Sequence, residues 1–393
     1  MLPLPEEDID ALSVAYLAAA GRTQIDIARI LGLSQSAVSR LYTRVKETYI
    51  RTTFCEEKLD ADTIQRIRRR TSRLDVEGKL ADLARKYGNE GPVVHSIFLR
   101  EGSTLGEQFD QFSRDAAPVV MGLVKRVRRT VGVAWGSTLW QTTQQLRSVV
   151  EAPRRPNEQI DFVPLCGEPL GDILNAQQYA DRTSSRIAIE MSRIINGDDR
   201  RTMSLGLVPA FIPRTFDKAA REAINNLIDL VPYYGRIFGP RGGSKGSERP
   251  LAEDLDMILT AAGDSEHPVG FGKGPLLQLE AEEADELRHH IYGDIGGVLI
   301  SKFDPQTKKP TPGQKLVKEL AGLWTGLRLD HLRLCARQAF ADGGHSAGKP
   351  GVALLGFRES LAELVIQAVQ QGLVNHLIIG SNLEAAIEKM LGV

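Results

Sequence analysis

Three cysteines in 393 residues are too few for a disulfide framework, and Cys55, Cys166 and Cys335 are odd in number and lack C-x-x-C spacing. They argue against a stapled secreted scaffold and against a cysteine-based zinc module, which leaves packing in a reducing compartment as their expected role. An excess of one charge is also missing. The 49 Lys and Arg face 50 Asp and Glu for a net charge of −1, so a basic module for nucleic acid has to be sought locally. No run of eighteen apolar residues is present, so a membrane helix is not expected. The opening "MLPLPEEDIDALSVAYLAAAG" is acidic where a secretory signal needs positive charge. A cytoplasmic protein with no membrane partner is expected. What is present is ordinary: 42% hydrophobic and 25% charged residues, in a chain long enough for two or three globular domains.

From Thr23 the chain reads "TQIDIARILGLSQSAVSRLYTRVKETYI". Ile27, Ala28, Leu31, Leu33, Val38, Leu41 and Val45 are spaced as the inner faces of two helices broken at Gly32. Thr23 with Asp26 suits the cap of the first helix and Ser34 that of the second. With the apolar positions inward, Gln35, Ser36, Ser39, Arg40, Thr43 and Arg44 face outward. Gln and Arg make paired hydrogen bonds to adenine and guanine edges, while Ser, Thr and Arg hold phosphates. The bland alternative is a solvated helix pair. The spacing resembles the helix-turn-helix of bacterial repressors, with "LSVAYLAAAGR" as the supporting first helix and "YIRTTF" at 49–54 as a short wing strand. The expected DNA contacts are Thr23, Gln24, Ser34, Gln35, Ser36, Ser39, Arg40, Thr43 and Arg44.

The following charged stretch includes Arg66, Arg68, Arg69, Arg70 and Arg73 and reads as a solvated helix face or linker rather than a second DNA contact. "KRVRRT" at 125–130 reads as a helix end, where cations complement the dipole. Beyond it, "TVGVAWG", "IDFVPLCG", "LDMILTAAG", "VALLGF" and "NHLIIGS" read as strands. "STLWQTTQQLRSVV", "NAQQYADRTSSRIAIEMSRII", "TFDKAAREAINNLI", "AEEADELRHH" and "RESLAELVIQAVQQG" read as helices between them. Such alternation predicts an α/β domain with a doubly wound, Rossmann-like, mostly parallel sheet. The expected divisions are a winged helix-turn-helix over 1–58, a helical linker over 59–90, and an effector and oligomerisation domain over 91–393. In "VGVAWGSTLW", Gly132 and Gly136 allow close backbone approach, while Ser137 and Thr138 suit the cap of the next helix, a place fit for a phosphate or a sugar hydroxyl. A routine strand-to-helix turn is the alternative.

A helix-turn-helix followed in order by "GVAWGSTL", "NAQQYADRTSSRIA", "LGLVPAFIP", "LDMILTAAGD", "YGDIGGVLISKFD" and "QGLVNHLIIGS" resembles the SorC family of sugar-binding transcriptional regulators over nearly the whole chain. The resemblance implies a tetrameric bacterial regulator whose effector domain is related to sugar-phosphate isomerases and deaminases but lacks their catalysis. It places Trp135, Gly136, Ser137, Thr138 and Asp294 at the effector pocket, beside Gly132. Asp294, in the glycine-rich "YGDIGG", suits acceptance from two sugar hydroxyls. Where phosphate-binding members carry a Lys after the glycine of the late strand, this chain has "LLGFRESLAEL". Either Arg358 replaces that Lys or the effector lacks a phosphate. "YYGRIFGPRGGSKGSERPLAED" at 233–254 reads as a mobile loop for covering the pocket or meeting another subunit, and His289 and His290 as helix-surface residues rather than metal ligands. The expected partners are a double-stranded DNA operator, a small carbohydrate-like effector and further copies of the chain as a dimer or tetramer, with no cofactor. The alternative is a sugar-phosphate isomerase-like enzyme with an amino-terminal dimerisation module.

Overall fold

Apolar residues at helical spacing assemble the amino-terminal part of the chain. The structure, a computed structural model, describes residues 6–19, 22–49, 76–100, 102–168, 182–198, 202–206, 208–241, 249–264, 279–302, 312–341 and 349–392. They divide into two units, Met1–Asp82 and Leu83–Val393. In the first, α1 (Glu6–Ala19), α2 (Gln24–Leu31) and α3 (Gln35–Tyr49) share a core of Val14, Leu17, Ile27, Ile30, Leu31 and Val38. Ala11, Ala15 and Val45 form a second cluster. Each such aliphatic side chain contributes about 1.5–3 kcal/mol on full burial, which short helices cannot gather from propensity alone. α2 stops at Gly32, whose φ of 63° would strain any other residue. The Leu33 amide then donates to the Ala28 carbonyl at 2.9 Å, and Ser34 Oγ accepts from the Ala37 amide at 3.2 Å to cap α3.

The wing strand expected at 49–54 differs at its start, because Tyr49 is the last residue of α3; residues 50–54 lie outside the described residues. Arg66, Arg68, Arg69, Arg70, Arg73 and Cys55 lie outside them too, whereas residues 76–86 are helical.

The second unit is a parallel sheet with helices between its strands. Its strands are β1 (Val93–Ile97), β2 (Thr130–Val133), β3 (Asp161–Pro164), β4 (Met257–Asp264), β5 (Ile291–Ile295), β6 (Val298–Ser301), β7 (Gly351–Gly356) and β8 (His376–Gly380). Its named helices are α4 (Leu105–Arg126), α5 (Ser137–Leu146), α6 (Ser184–Asn196), α7 (Lys218–Asp229), α8 (Pro232–Phe238), α9 (Ala281–His290), α10 (Pro312–Leu323), α11 (Leu329–Ala341), α12 (Ala362–Gln370) and α13 (Ser381–Met390). The order β1-β8-β7-β4-β2-β3 is parallel throughout, and a β5–β6 hairpin runs antiparallel to the far end of β4. Every residue of β2, β7 and β8 is buried, as strands covered on both faces require.

All five expected strands are present, and the α/β class with a mostly parallel sheet is borne out. β1 and the β5–β6 hairpin were not expected; the glycine-rich "YGDIGG" contributes β5 and the turn of that hairpin. The helix expected from 175 is described only from its carboxyl part, Ser184–Asn196, since residues 175–181 lie outside the described residues. Of the segment 233–254, residues 242–248 lie outside the described residues, and its described flanks are not simply loop. Residues 233–238 belong to α8, Tyr234 is buried, and Leu251–Glu253 form a 3₁₀ turn. Arg241 is held by the Asn225 side chain at 2.7 Å, and its amide by Asp229 at 2.8 Å. Among the described residues no helix is long and apolar enough to cross a membrane.

Candidate functional site

In the first unit, α3 divides its residues sharply. Val38 and Val45 are buried, whereas Gln35, Ser36, Ser39, Arg40, Thr43 and Arg44 are exposed, as are Thr23 and Gln24 at the start of α2. Three hydroxyls on this side are already used. Ser34 Oγ caps α3 and lies 3.0 Å from Ser36 Oγ, and Thr43 Oγ1 donates to the Ser39 carbonyl at 3.0 Å. Gln35, Ser39 and Arg40 therefore present the polar groups with the least to give up on meeting a ligand.

In the second unit, sheet order reverses between β2 and β4: β2 leads outward to β3, while β4, β7 and β8 lie on its other side. Open α/β sheets bind ligands outside the carboxyl ends of their strands at such a point. A cleft of about 360 Å³ opens there, within the range of small-metabolite sites. Trp135, Gly136, Ser137 and Thr138 follow β2 into it, Ala261, Ala262 and Gly263 end β4, and Phe357 and Arg358 follow β7. Asp294 and Gly296 come from the hairpin, and Leu105, Gly106 and Phe109 from the start of α4. Trp135 is buried and packs its ring against that of Trp324, with centroids 5.5 Å apart.

Gly136 turns the chain from β2 into α5 with a φ of 121°, and its amide donates to the Arg182 carbonyl at 3.1 Å. It is the N-cap, and it supplies no side-chain acceptor. Ser137 and Thr138 thus lie inside the first turn rather than capping it, and their amides, as the first of the helix, have no acceptor within α5. The Ser137 hydroxyl accepts from Arg182 Nη1 at 2.9 Å. A helix amino terminus with an arginine beside it favours an electronegative ligand atom.

Gly132, expected at the pocket, is not among the lining residues. It lies within β2, where an added Cβ would sit 2.6 Å from both Leu165 Cδ1 and Leu255 Cδ1. Its small size serves the sheet's packing rather than ligand approach.

Asp294 is 6% exposed and faces Gly263 across the β4–β5 ladder. Its Oδ1 accepts from the Gly297 amide at 2.8 Å. Burial raises its pKa to about 7, an effect opposed by the Gly297 hydrogen bond and reinforced by the charge of Asp264. Near neutrality this carboxyl can accept or donate, which suits hydroxyl ligands. Cys166 Sγ donates to the Gly296 carbonyl at 3.3 Å, and burial pushes its thiol well up, so it is a neutral packing group beneath the hairpin. Cys335 is likewise buried.

Arg358 lines the cleft, but its charge is engaged. Its Nη1 lies 3.3 Å from Asp264 Oδ2, and Ser360 Oγ donates to the same oxygen at 2.7 Å. The cleft therefore gathers Trp135, Gly136, Ser137, Thr138, Asp294 and Arg358 as expected and leaves Gly132 outside; Asp264, which holds Arg358, Ser360, which bonds the same carboxylate, and Arg182, which holds Ser137, are not among its lining residues and were missed by sequence reading. An aspartate directly after the small-residue strand end "TAAG" was the available signal for Asp264.

No family sequence model matches the chain, and no curated sequence does. The full-length sorbitol operon regulator SorC from Klebsiella pneumoniae superposes with a TM-score of 0.52 at 17% identity, covering 98% of this chain and 100% of its own. This chain has the SorC-type fold. A DeoR family transcriptional regulator from Listeria monocytogenes superposes on this chain at the same TM-score and identity, over 80% of this chain and 99% of its own. A domain assigned to sugar binding in a transcriptional repressor from Vibrio fischeri does so with a TM-score of 0.52 at 16% identity, over 81% and 100%. At these identities the likeness is one of fold.

Proposed function

We propose that the protein is a cytoplasmic transcriptional regulator in which the amino-terminal unit binds a double-stranded DNA operator and the α/β unit binds a small carbohydrate-like effector. The observation that carries this reading is the pairing, in one chain, of an exposed Gln-Ser-Arg face on α3 with a cleft at the sheet's reversal point lined by Ser137, Thr138 and Asp294. Gln35, Ser36, Ser39, Arg40, Thr43 and Arg44, with Thr23, Gln24 and Ser34, contact the duplex; Trp135, Gly136, Ser137, Thr138, Asp294 and Arg358 contact the effector, joined by Arg182 through Ser137. Operator binding by one such helix buries little surface, so paired copies of the chain reading paired half-sites complete the proposal. Regulation is then a matter of linkage, with no reaction required.

One observation favours the enzymatic alternative: a carboxyl with a pKa of about 7 is poised for general acid or base work. Against it, Asp294 and Arg358 are the ionisable side chains among the described residues lining the cleft, and Arg358 is held by Asp264. Selection from a random duplex library, repeated with and without a panel of sugars, polyols and their phosphates, tests the proposal. Enrichment of a motif whose binding responds to one of these compounds is expected. No enriched motif, together with turnover of a sugar phosphate, would replace the regulator with the enzyme.

A further inference from the structure

A helix lying on a sheet turns its apolar stripe inward and leaves a polar face to water. α7 departs from this. Ile228 is its buried residue, with Ile224 and Val231 half-buried beside it. A second apolar row, Ala219, Ala223, Leu227 and Leu230, recurs at helical spacing and is exposed at all four positions. Polar residues of α7 are meanwhile drawn inward: Arg221 donates to the Phe216 and Arg214 carbonyls, and Asn225 and Asp229 hold Arg241. Leu227 is 59% exposed, Leu230 78% and Tyr233, at the start of α8, 40%. Among the described residues the other exposed large apolar side chains, Ile25, Tyr87, Leu105 and Met390, stand apart along the chain. Isolated cases need no explanation, whereas a continuous apolar patch marks an interaction surface.

The row itself limits what can cover it. It carries no charge, and the Lys218–Glu222 pair at its edge is matched within the helix at 3.8 Å, so a charged partner gains nothing there. The 12 residues of α7 span about 18 Å, which suits another helix. The side chains also grade along it from small, Ala219 and Ala223, to large, Leu227 and Leu230. A second α7 running antiparallel, about a two-fold axis between Ala223 and Leu227, sets Leu227 of each copy on Ala223 of the other and Leu230 on the turn at Ala219. Large then meets small along the whole seam, as ridges fit grooves. Parallel packing sets large on large and leaves a gap at the alanines. We propose that α7 is a self-pairing surface through which two copies of this chain join in antiparallel register. Such a contact is isologous and closes on itself. It supplies the pairing of copies that the operator-binding reading calls for, and its test needs no DNA.

Sedimentation equilibrium of the full chain gives the dissociation constant for self-association. Leu227→Glu is expected to raise it at least about tenfold, because the two-fold seam then holds two carboxylates among apolar groups; circular dichroism checks that the variant folds. Ala223→Cys and Leu227→Cys chains, mixed and mildly oxidised, should crosslink to each other more than either does to itself, above the background of the parent's own cysteines. If Leu227→Glu does not fold, this crosslinking ratio decides alone. A parent chain that stays monomeric overturns the inference, and like-with-like crosslinking overturns the antiparallel register. Self-association unaltered in folded Leu227→Glu overturns it too, and leaves the operator-binding reading standing on a different pairing surface.

Discussion

Replacing Asp294 with Asn removes a charge while keeping the outline of the side chain, and the consequence for stability depends on pH. Burial of Asp294 raises its pKa from 3.8 to about 7, with the Gly297 amide opposing and the Asp264 charge assisting. Between those two values the folded protein keeps a proton that the unfolded chain has released. The folded state thus binds more protons than the unfolded one, and stability falls as pH climbs through this window. Above the folded value both states are ionised and the penalty is constant. At about 1.4 kcal/mol for each pH unit that separates the two values, the penalty reaches roughly 4 kcal/mol at pH 8, of which less than half is already present at pH 5. Asn carries no such penalty and keeps an oxygen for the Gly297 amide. Its stability relative to the parent should therefore improve by about 2–3 kcal/mol from pH 5 to pH 8 and stay level to pH 9. Urea denaturation followed by tryptophan fluorescence reads this directly, because Trp135, Trp140 and Trp324 all lie in the α/β unit. The slope is the diagnostic rather than the offset. If the new amide nitrogen finds no acceptor, a cost of about 1–3 kcal/mol moves the whole curve without tilting it. A difference that stays constant from pH 5 to pH 9 would refute the account of Asp294 as a buried, proton-holding carboxyl.

Three further outcomes are expected. Arg40→Ala should weaken binding to a selected duplex and reduce the slope of log affinity against log salt by about one, measured by anisotropy across a KCl series; an unchanged slope takes Arg40 off the phosphates. Gly32→Ala meets no atom within 4 Å of its new Cβ, so its cost is purely conformational at about 1–2 kcal/mol, read as earlier melting of α1–α3 by circular dichroism; no change in melting would mean that the turn does not need its left-handed residue. Effector binding near pH 7 should release up to about half a proton as sugar hydroxyls stabilise ionised Asp294; calorimetry in buffers of different ionisation enthalpy that finds no release removes Asp294 as the acceptor.

Legibility in the sequence followed the range of the interactions. β7 and β8 are buried on both faces, so their apolar runs stand out, and the α3 face was readable because period alone separates Val38 and Val45 from Arg40 and Arg44. β1, "VVHSI", is an edge strand with a mixed pattern, and neither period marks it. In "YGDIGG" the glycines break any apolar alternation, so the hairpin they form against β4 carries no strand signal. Glycines also concealed the helical start of 233–254. The cleft residues contributed by strand ends were readable from local motifs, whereas the groups that set their charge state were not. Arg358 and Asp264 are 94 positions apart, and Arg182 and Ser137 are 45 apart. No local pattern predicts such pairings, so the sequence left two readings open, that Arg358 replaces the lysine of phosphate-binding members or that the effector lacks a phosphate, without sight of the Asp264 carboxylate beside it.

The two proposed ligands occupy separate units of one chain, and that separation constrains how regulation has to be measured. If effector alters operator affinity by some factor, operator alters effector affinity by the same factor, since both paths around the binding cycle end at one ternary complex. Regulatory couplings of about 1–3 kcal/mol correspond to factors of roughly 5–150. The duplex dissociation constant with and without saturating effector gives one ratio, and the effector dissociation constant with and without saturating duplex gives the other. Equal ratios well away from one mean that the cleft and the α3 face bias a shared conformational or assembly equilibrium. Two ratios of one would mean that the cleft binds its ligand without informing the DNA-binding unit, and the regulatory part of the proposal would fall even with both binding sites confirmed. The same variant separates these cases: Asp294→Asn should drive both ratios to one while leaving duplex affinity in the absence of effector unchanged, because Asp294 belongs to the α/β unit and α3 to the other.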